Sequence, residues 1–171
     1  MKKLFLFALI VGITNSFSAF AQQDKSKRVS PPATVSETLS NGVKVTVDYS
    51  QPSVKGRVIG TELAPYGKVW RTGANEATIF EVSKAVKVEG KALAAGKYSL
   101  YTIPGEKEWI IIFNKAWNQW GTVYNVSEDA LRVNIKATKS ASFTEKLTFN
   151  ISKAGEISII WGDNQANFNV K

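Results

Sequence analysis

The sequence predicts an all-β fold, a single antiparallel β-sandwich with the jelly roll among the topologies it allows, and three observations carry that prediction. Several segments alternate apolar and polar residues with a period of two, and no segment sustains helical spacing for three turns. Glycine- and proline-containing turns also punctuate the chain at short intervals, so nine or so short strands fill the length, with a closed barrel as the alternative architecture.

The elements follow in order. Lys2 and Lys3, the apolar run Leu4 to Ile13 and the small-x-small triplet Ala19-Phe20-Ala21 have the layout of a secretory signal peptide, with cleavage expected after Ala21. Thr14, Asn15, Ser16 and Ser18 interrupt the run well short of the roughly twenty apolar residues a membrane anchor needs, so stable membrane insertion is not expected. Residues 22–33, with their charges and the Pro31-Pro32 pair, read as a flexible leader to a domain over 34–171. Val43, Val45, Val47 and Tyr49 then alternate with Lys44, Thr46 and Asp48 as a strand with one buried face.

Val86 to Glu89, Gly90 and Lys91 to Leu93 suggest a small hairpin, and Tyr98 to Ile103 pairs with Trp109 to Phe113 across the turn residues Pro104 to Lys107. Trp109-Ile110-Ile111-Ile112-Phe113 has no polar face and is too short for a stable helix, so it predicts a central strand covered on both sides. Leu131 to Ala137 and Phe143 to Ser152 alternate as two further strands, the second with Glu145 at a rim. Gly162 to Gln165 read as a turn between strands at Ile157 to Trp161 and Asn167 to Val170. Short helical turns are expected near Thr61 to Ala64 and Ser127 to Ala130.

Composition narrows the chemistry. The chain has neither histidine nor cysteine, which removes disulfides, ordinary zinc sites and Ser-His-Asp or Cys-His catalysis, and leaves carboxylate, lysine, tyrosine or arginine chemistry. No cofactor is expected; a calcium site of oxygens survives in principle, although Glu128-Asp129 lacks the spaced ligands of a known calcium loop. The net charge of +8 falls to +6 once Lys2 and Lys3 leave with the signal, and its cations are scattered along strand faces. Such scatter gives no basic stripe, so nucleic acid is not expected as a partner. The one tight basic cluster, Lys25, Lys27 and Arg28, sits in the leader.

The densest block of functional groups is Pro65-Tyr66-Gly67-Lys68-Val69-Trp70-Arg71-Thr72-Gly73-Ala74-Asn75-Glu76-Ala77-Thr78. Together with Val47 to Arg57, Ala95 to Gly105, Trp109 to Lys115 and Gln119-Trp120-Gly121, this block resembles the bacterial exported proteins grouped as domain of unknown function 2911. That family is found mostly in Bacteroidota-like bacteria. The resemblance covers nearly the whole chain after the signal and implies a periplasmic or outer-surface location in a Gram-negative cell. It lends no catalytic residues.

Within the block, Arg71 suits bidentate recognition of a carboxylate or phosphate, Asn75 can donate and accept, and Glu76 becomes a base if burial raises its pKa. The competing reading pairs Arg71 with Glu76 to lock a loop, places Trp70 in the core and gives Gly73 a positive φ. Trp117 and Trp120, in the loop after the central strand, offer flat apolar faces for a pyranose ring, whereas Trp109 and Trp161 lie in strands and read as core. The first functional hypothesis is therefore a ligand-binding module for a glycan or envelope component, using Arg71, Asn75, Glu76, Trp117 and Trp120. The alternatives are an enzyme with Glu76 as acid or base and Arg71 holding an anion, and a structural or assembly protein of the envelope.

Overall fold

Alternation at residues 43–49 becomes a strand because its odd positions have a core to enter. In the computed structural model, which describes residues 24–171, β1 (Pro32–Thr38) and β2 (Lys44–Ser50) form a hairpin, and Val45 and Val47 of β2 are fully buried. Then come β3 (Thr78–Val82), β4 (Val86–Val88), β5 (Lys91–Leu93), β6 (Gly96–Ile103), β7 (Glu108–Asn114), β8 (Asp129–Ile151) and β9 (Glu156–Asn169). The expected signal peptide lies outside the described residues.

The fold is all-β and antiparallel, as the sequence predicts. Seven strands form one sheet in the order β1-β2-β3-β6-β7-β8-β9, and β4 and β5 form a two-stranded sheet of their own. Val88 faces Lys91 across a two-residue loop, Glu89-Gly90, whose φ angles of 47° and 80° are those of a type I′ turn.

The large sheet curls until its inner face packs on itself, so two layers arise from one sheet. Tyr49 of β2 meets Phe149 of β8 edge-on at 4.7 Å, and Phe168 of β9 lies 6.2 Å from Phe80 of β3 and 6.0 Å from Phe113 of β7. Backbone bonds reinforce the closure where the chain leaves β2, from Leu147 N to Pro52 O and from Val54 N to Glu145 O.

What permits the curl is a departure from the sequence expectation. Leu131 to Ala137 and Phe143 to Ser152 are not separate strands but parts of the 23-residue β8. Likewise Gly162 to Gln165 do not form a turn but sit inside the 14-residue β9, with Gly162 at φ 58°. Register explains it: Lys139 pairs with Asn164 and Thr144 with Gly162, so more residues pass on β8 than on β9, and the excess bulges and bends the ribbon. The turn-forming residues mark a bend in a continuous strand rather than its end. The helical turn near residue 127 is a 3-10 turn over Val126–Glu128 capped by Asn125, and no helix forms at Thr61 to Ala64.

The apolar strand Trp109 to Phe113 is covered on both faces. Trp109, Ile111 and Phe113 join the main core, while Ile112 packs outward with Tyr101 and Ala77, bordered by Ile103, Ile110 and Tyr124. The outer cover comes from two loops, residues 65–77 and 115–128. Both carry the residues singled out from the sequence.

Candidate functional site

The two loops are tied edge to edge. Ala77 N donates to Gln119 O at 3.1 Å and Gly121 N to Asn75 O at 3.1 Å, which sets Glu76 opposite Trp120. Thr72, at φ 51°, and Asn75, at φ 60°, both occupy the left-handed region, where non-glycine residues are uncommon and held only by their surroundings. Here the buried Thr72 hydroxyl bonds Thr102 Oγ1 at 3.1 Å, and the Thr72 carbonyl accepts from Thr78 Oγ1 at 2.9 Å. Gly73 is not at positive φ, contrary to expectation. It is required by space instead, since a Cβ there would stand 2.7 Å from Thr78 Oγ1 and 3.3 Å from Ser50 O.

This winding sends Arg71 and Glu76 to different places. Glu76 does not pair with Arg71: its Oε2 accepts from Arg28 Nη1 at 2.7 Å and its Oε1 lies 3.1 Å from Lys25 Nζ. Burial alone would raise the Glu76 pKa, but the Arg28 hydrogen bond, its backbone amide and Lys25 outweigh burial and take it from 4.5 to about 2. A carboxylate so held is ionised at any ordinary pH, a weak base and no proton donor. Asn75 donates to Ser30 O at 3.0 Å and Ser50 Oγ at 3.2 Å, and so clasps the segment leading into β1.

Glu76, Trp117 and Trp120 share an open groove of about 450 Å³ with Lys25, Arg28 and Asp48. Trp117 is 38% and Trp120 50% exposed, whereas Trp109 and Trp161 are each 2% exposed and belong to the core. Trp70 also packs on the core, stacked on Trp161 at 5.2 Å. Lys97 Nζ sits 5.1 Å over the Trp117 ring and steadies it. Arg71 is not in this groove. It lines a different cavity, with Tyr101 and Tyr124. The five residues expected to act together are thus divided: three line the groove, Asn75 braces the backbone, and Arg71 stands apart.

The family model described as a protein of unknown function, DUF2911, matches residues 30–170. The chain belongs to that family. No curated protein and no solved structure matches it. The DUF2911 match takes in Glu76, Trp117, Trp120 and Arg71, and begins after Lys25 and Arg28. The two cations that neutralise Glu76 therefore lie outside the matched segment.

Lys25 and Arg28 are not among the residues the sequence leads one to expect in the site. The basic cluster is visible in the sequence, but nothing in its spacing links it to an acid 48 positions away. Among the described residues no group of three or more potential ligands from histidine, cysteine, aspartate and glutamate converges as a metal site. Asp129 is taken up by Arg132, at 2.7 Å, and by the Tyr124 hydroxyl. No helix among the described residues is long and apolar enough to cross a membrane.

The Glu76 cluster has a testable pH dependence. Because folding lowers its pKa, its contribution is present above the unfolded value near 4.5 and is lost as pH falls through about 2. With the side chain 39% exposed, solvent screening reduces that contribution to about 1 kcal/mol. Urea melts of wild type and Glu76→Gln are expected to differ by that amount at pH 7 and to converge towards pH 2. A gap that does not change with pH would remove the charge cluster as its cause.

Proposed function

We propose that the protein is an exported module that binds a glycan of the cell envelope in the groove between Trp117, Trp120 and Glu76. The observation that carries this reading is the pair of exposed indoles in one groove with ionised groups of both signs. Indole faces suit the carbon-hydrogen faces of a pyranose, because they bury apolar area without demanding hydrogen bonds. Asp48 and Glu76 accept from sugar hydroxyls, and Lys25 and Arg28 donate to them. Glu76 serves as a fixed acceptor rather than a proton carrier, which favours binding over the acid-base enzyme considered from the sequence. Export rests on Lys2 to Ala21 and on the family resemblance.

The test is a screen of envelope glycans against protein recovered from the periplasmic fraction, whose N-terminus is expected at Gln22. Trp117→Ala and Trp120→Ala should each weaken binding about tenfold or more, equivalent to about 1.4 kcal/mol. Binding unchanged in both variants, or absent from wild type, would sink the proposal.

A further inference from the structure

Among the described residues Arg71 is a cation without a counter-charge. Among the described residues it forms no salt bridge, its Nε is buried without a hydrogen-bond partner, and no side-chain or backbone acceptor takes a hydrogen bond from its guanidinium. The nearest carboxylate candidate on its own loop, Glu76, is occupied by Lys25 and Arg28. Burial pushes the Arg71 pKa down from its usual value, the direction expected of a charge taken from water without compensation, and the Tyr101 phenol offsets it only in part. A buried donor left unmatched costs free energy, and a buried charge costs more.

The guanidinium lines a cavity of about 410 Å³ whose other walls include Val69, Trp70, Tyr101, Thr122 and Tyr124. These walls are held in place before any ligand arrives. Tyr101 donates its hydroxyl to Val123 O and accepts from Gln119 Nε2 at 3.0 Å. The Tyr124 hydroxyl donates to Asp129 at 2.8 Å and accepts from Arg132 Nη2 at 2.6 Å, and the two tyrosine rings meet edge-on at 4.9 Å. Gly121 lets the loop lie directly against the Arg71 stem, because a Cβ there would collide with Arg71 Cδ. Among the described residues the cavity is lined by one arginine, no second cation and no carboxylate, with hydrogen-bonded tyrosines and apolar walls around it.

We propose that this cavity is a second binding site, separate from the groove, that takes a carboxylate carried on an apolar or aromatic body. The fork matches two carboxylate oxygens in a plane, a geometry arginine supplies and lysine does not. One positive charge balances one negative charge, which favours a monocarboxylate over a phosphate monoester near neutral pH. A volume of about 410 Å³ exceeds the needs of a bare anion, and its walls suit a hydrocarbon or ring. The site does not depend on the glycan reading, since Trp117 and Trp120 do not line it.

The test is a titration of the purified protein, labelled with ¹⁵N, following the Arg71 Nε–H and Trp70 indole N–H resonances. Sodium phenylacetate is expected to shift both in a saturable way, while phenylacetamide, equal in shape and uncharged, leaves them in place. Arg71→Met, which keeps the stem against Gly121, and Arg71→Lys, which keeps the charge without the fork, should each weaken phenylacetate binding at least tenfold. Trp117→Ala should leave it unchanged. Thermal melting separates this role from a bracing one: removing an unmatched, partly buried charge should leave Tm equal or higher in Arg71→Met. The proposal is overturned by absent saturation with phenylacetate, by equal binding of phenylacetamide, by undiminished binding in both Arg71 variants, or by a Tm loss of more than about 5 °C in Arg71→Met. Inorganic phosphate binding more tightly than phenylacetate would overturn the monocarboxylate assignment.

Discussion

Phe168→Ala is expected to lower the stability of the protein by about 4 kcal/mol, in the range measured when a fully buried phenylalanine is truncated and its cavity cannot collapse. Phe168 is fully buried and stands where the curled sheet meets itself, against Phe80 of β3 and Phe113 of β7. Its ring is therefore among the contacts that join the last strand to strands far earlier in the chain. Urea denaturation followed by far-ultraviolet circular dichroism measures the change, with the wild-type slope retained if the folded state keeps its compactness. A loss below about 1 kcal/mol would mean that the β9 layer does not depend on this contact, and that the curl is held by the β8–β9 ribbon alone.

Gly121→Ala is expected to cost about 3 kcal/mol and to disturb both cavities at once. The added Cβ meets Arg71 Cδ and stands 2.8 Å from Asn75 O, the carbonyl that accepts the Gly121 N–H. Overpacking of this kind costs about 1–3 kcal/mol, and strain on the Gly121 N–H to Asn75 O bond adds to it. Because that bond joins the two loops, Trp120 should lose its alignment with Glu76 and Arg71 its packing. The check combines a urea melt with the chemical shifts of the Trp120 indole and Arg71 Nε–H. A variant as stable as wild type, with both resonances unmoved, would show that the loops accommodate a methyl group and are not a single unit.

Much of the fold was legible because strand burial has a local signature. Val43 to Tyr49, Trp109 to Phe113 and Leu131 to Ala137 each state which residues turn inward, and a sheet needs little more to fix its register. The bend in β8 and β9 was not legible. Gly162 to Gln165 have the composition of a turn, and whether such residues end a strand or bend it depends on what pairs opposite them, here Thr138 and Lys139. Gly73 shows the same limit on a smaller scale. Its need for a missing Cβ comes from Thr78 and Ser50, and no local preference records that.

The site divides along the same line. By itself the sequence determined the permitted chemistry, through the absence of histidine and cysteine, together with the loop position of Trp117 and Trp120 and the family through its motif strings. Only the tertiary structure decided which groups meet. Arg71 and Glu76 are five positions apart, yet two left-handed residues between them send one guanidinium to an unpaired cavity and one carboxylate to Lys25 and Arg28. Backbone direction at Thr72 and Asn75 is set by hydrogen bonds to Thr102, Thr78, Ser30 and Ser50, partners that lie 6 to 45 positions away. Composition and alternation are local properties and can be read along the chain, whereas charge pairing depends on distances in space that the folded backbone alone creates.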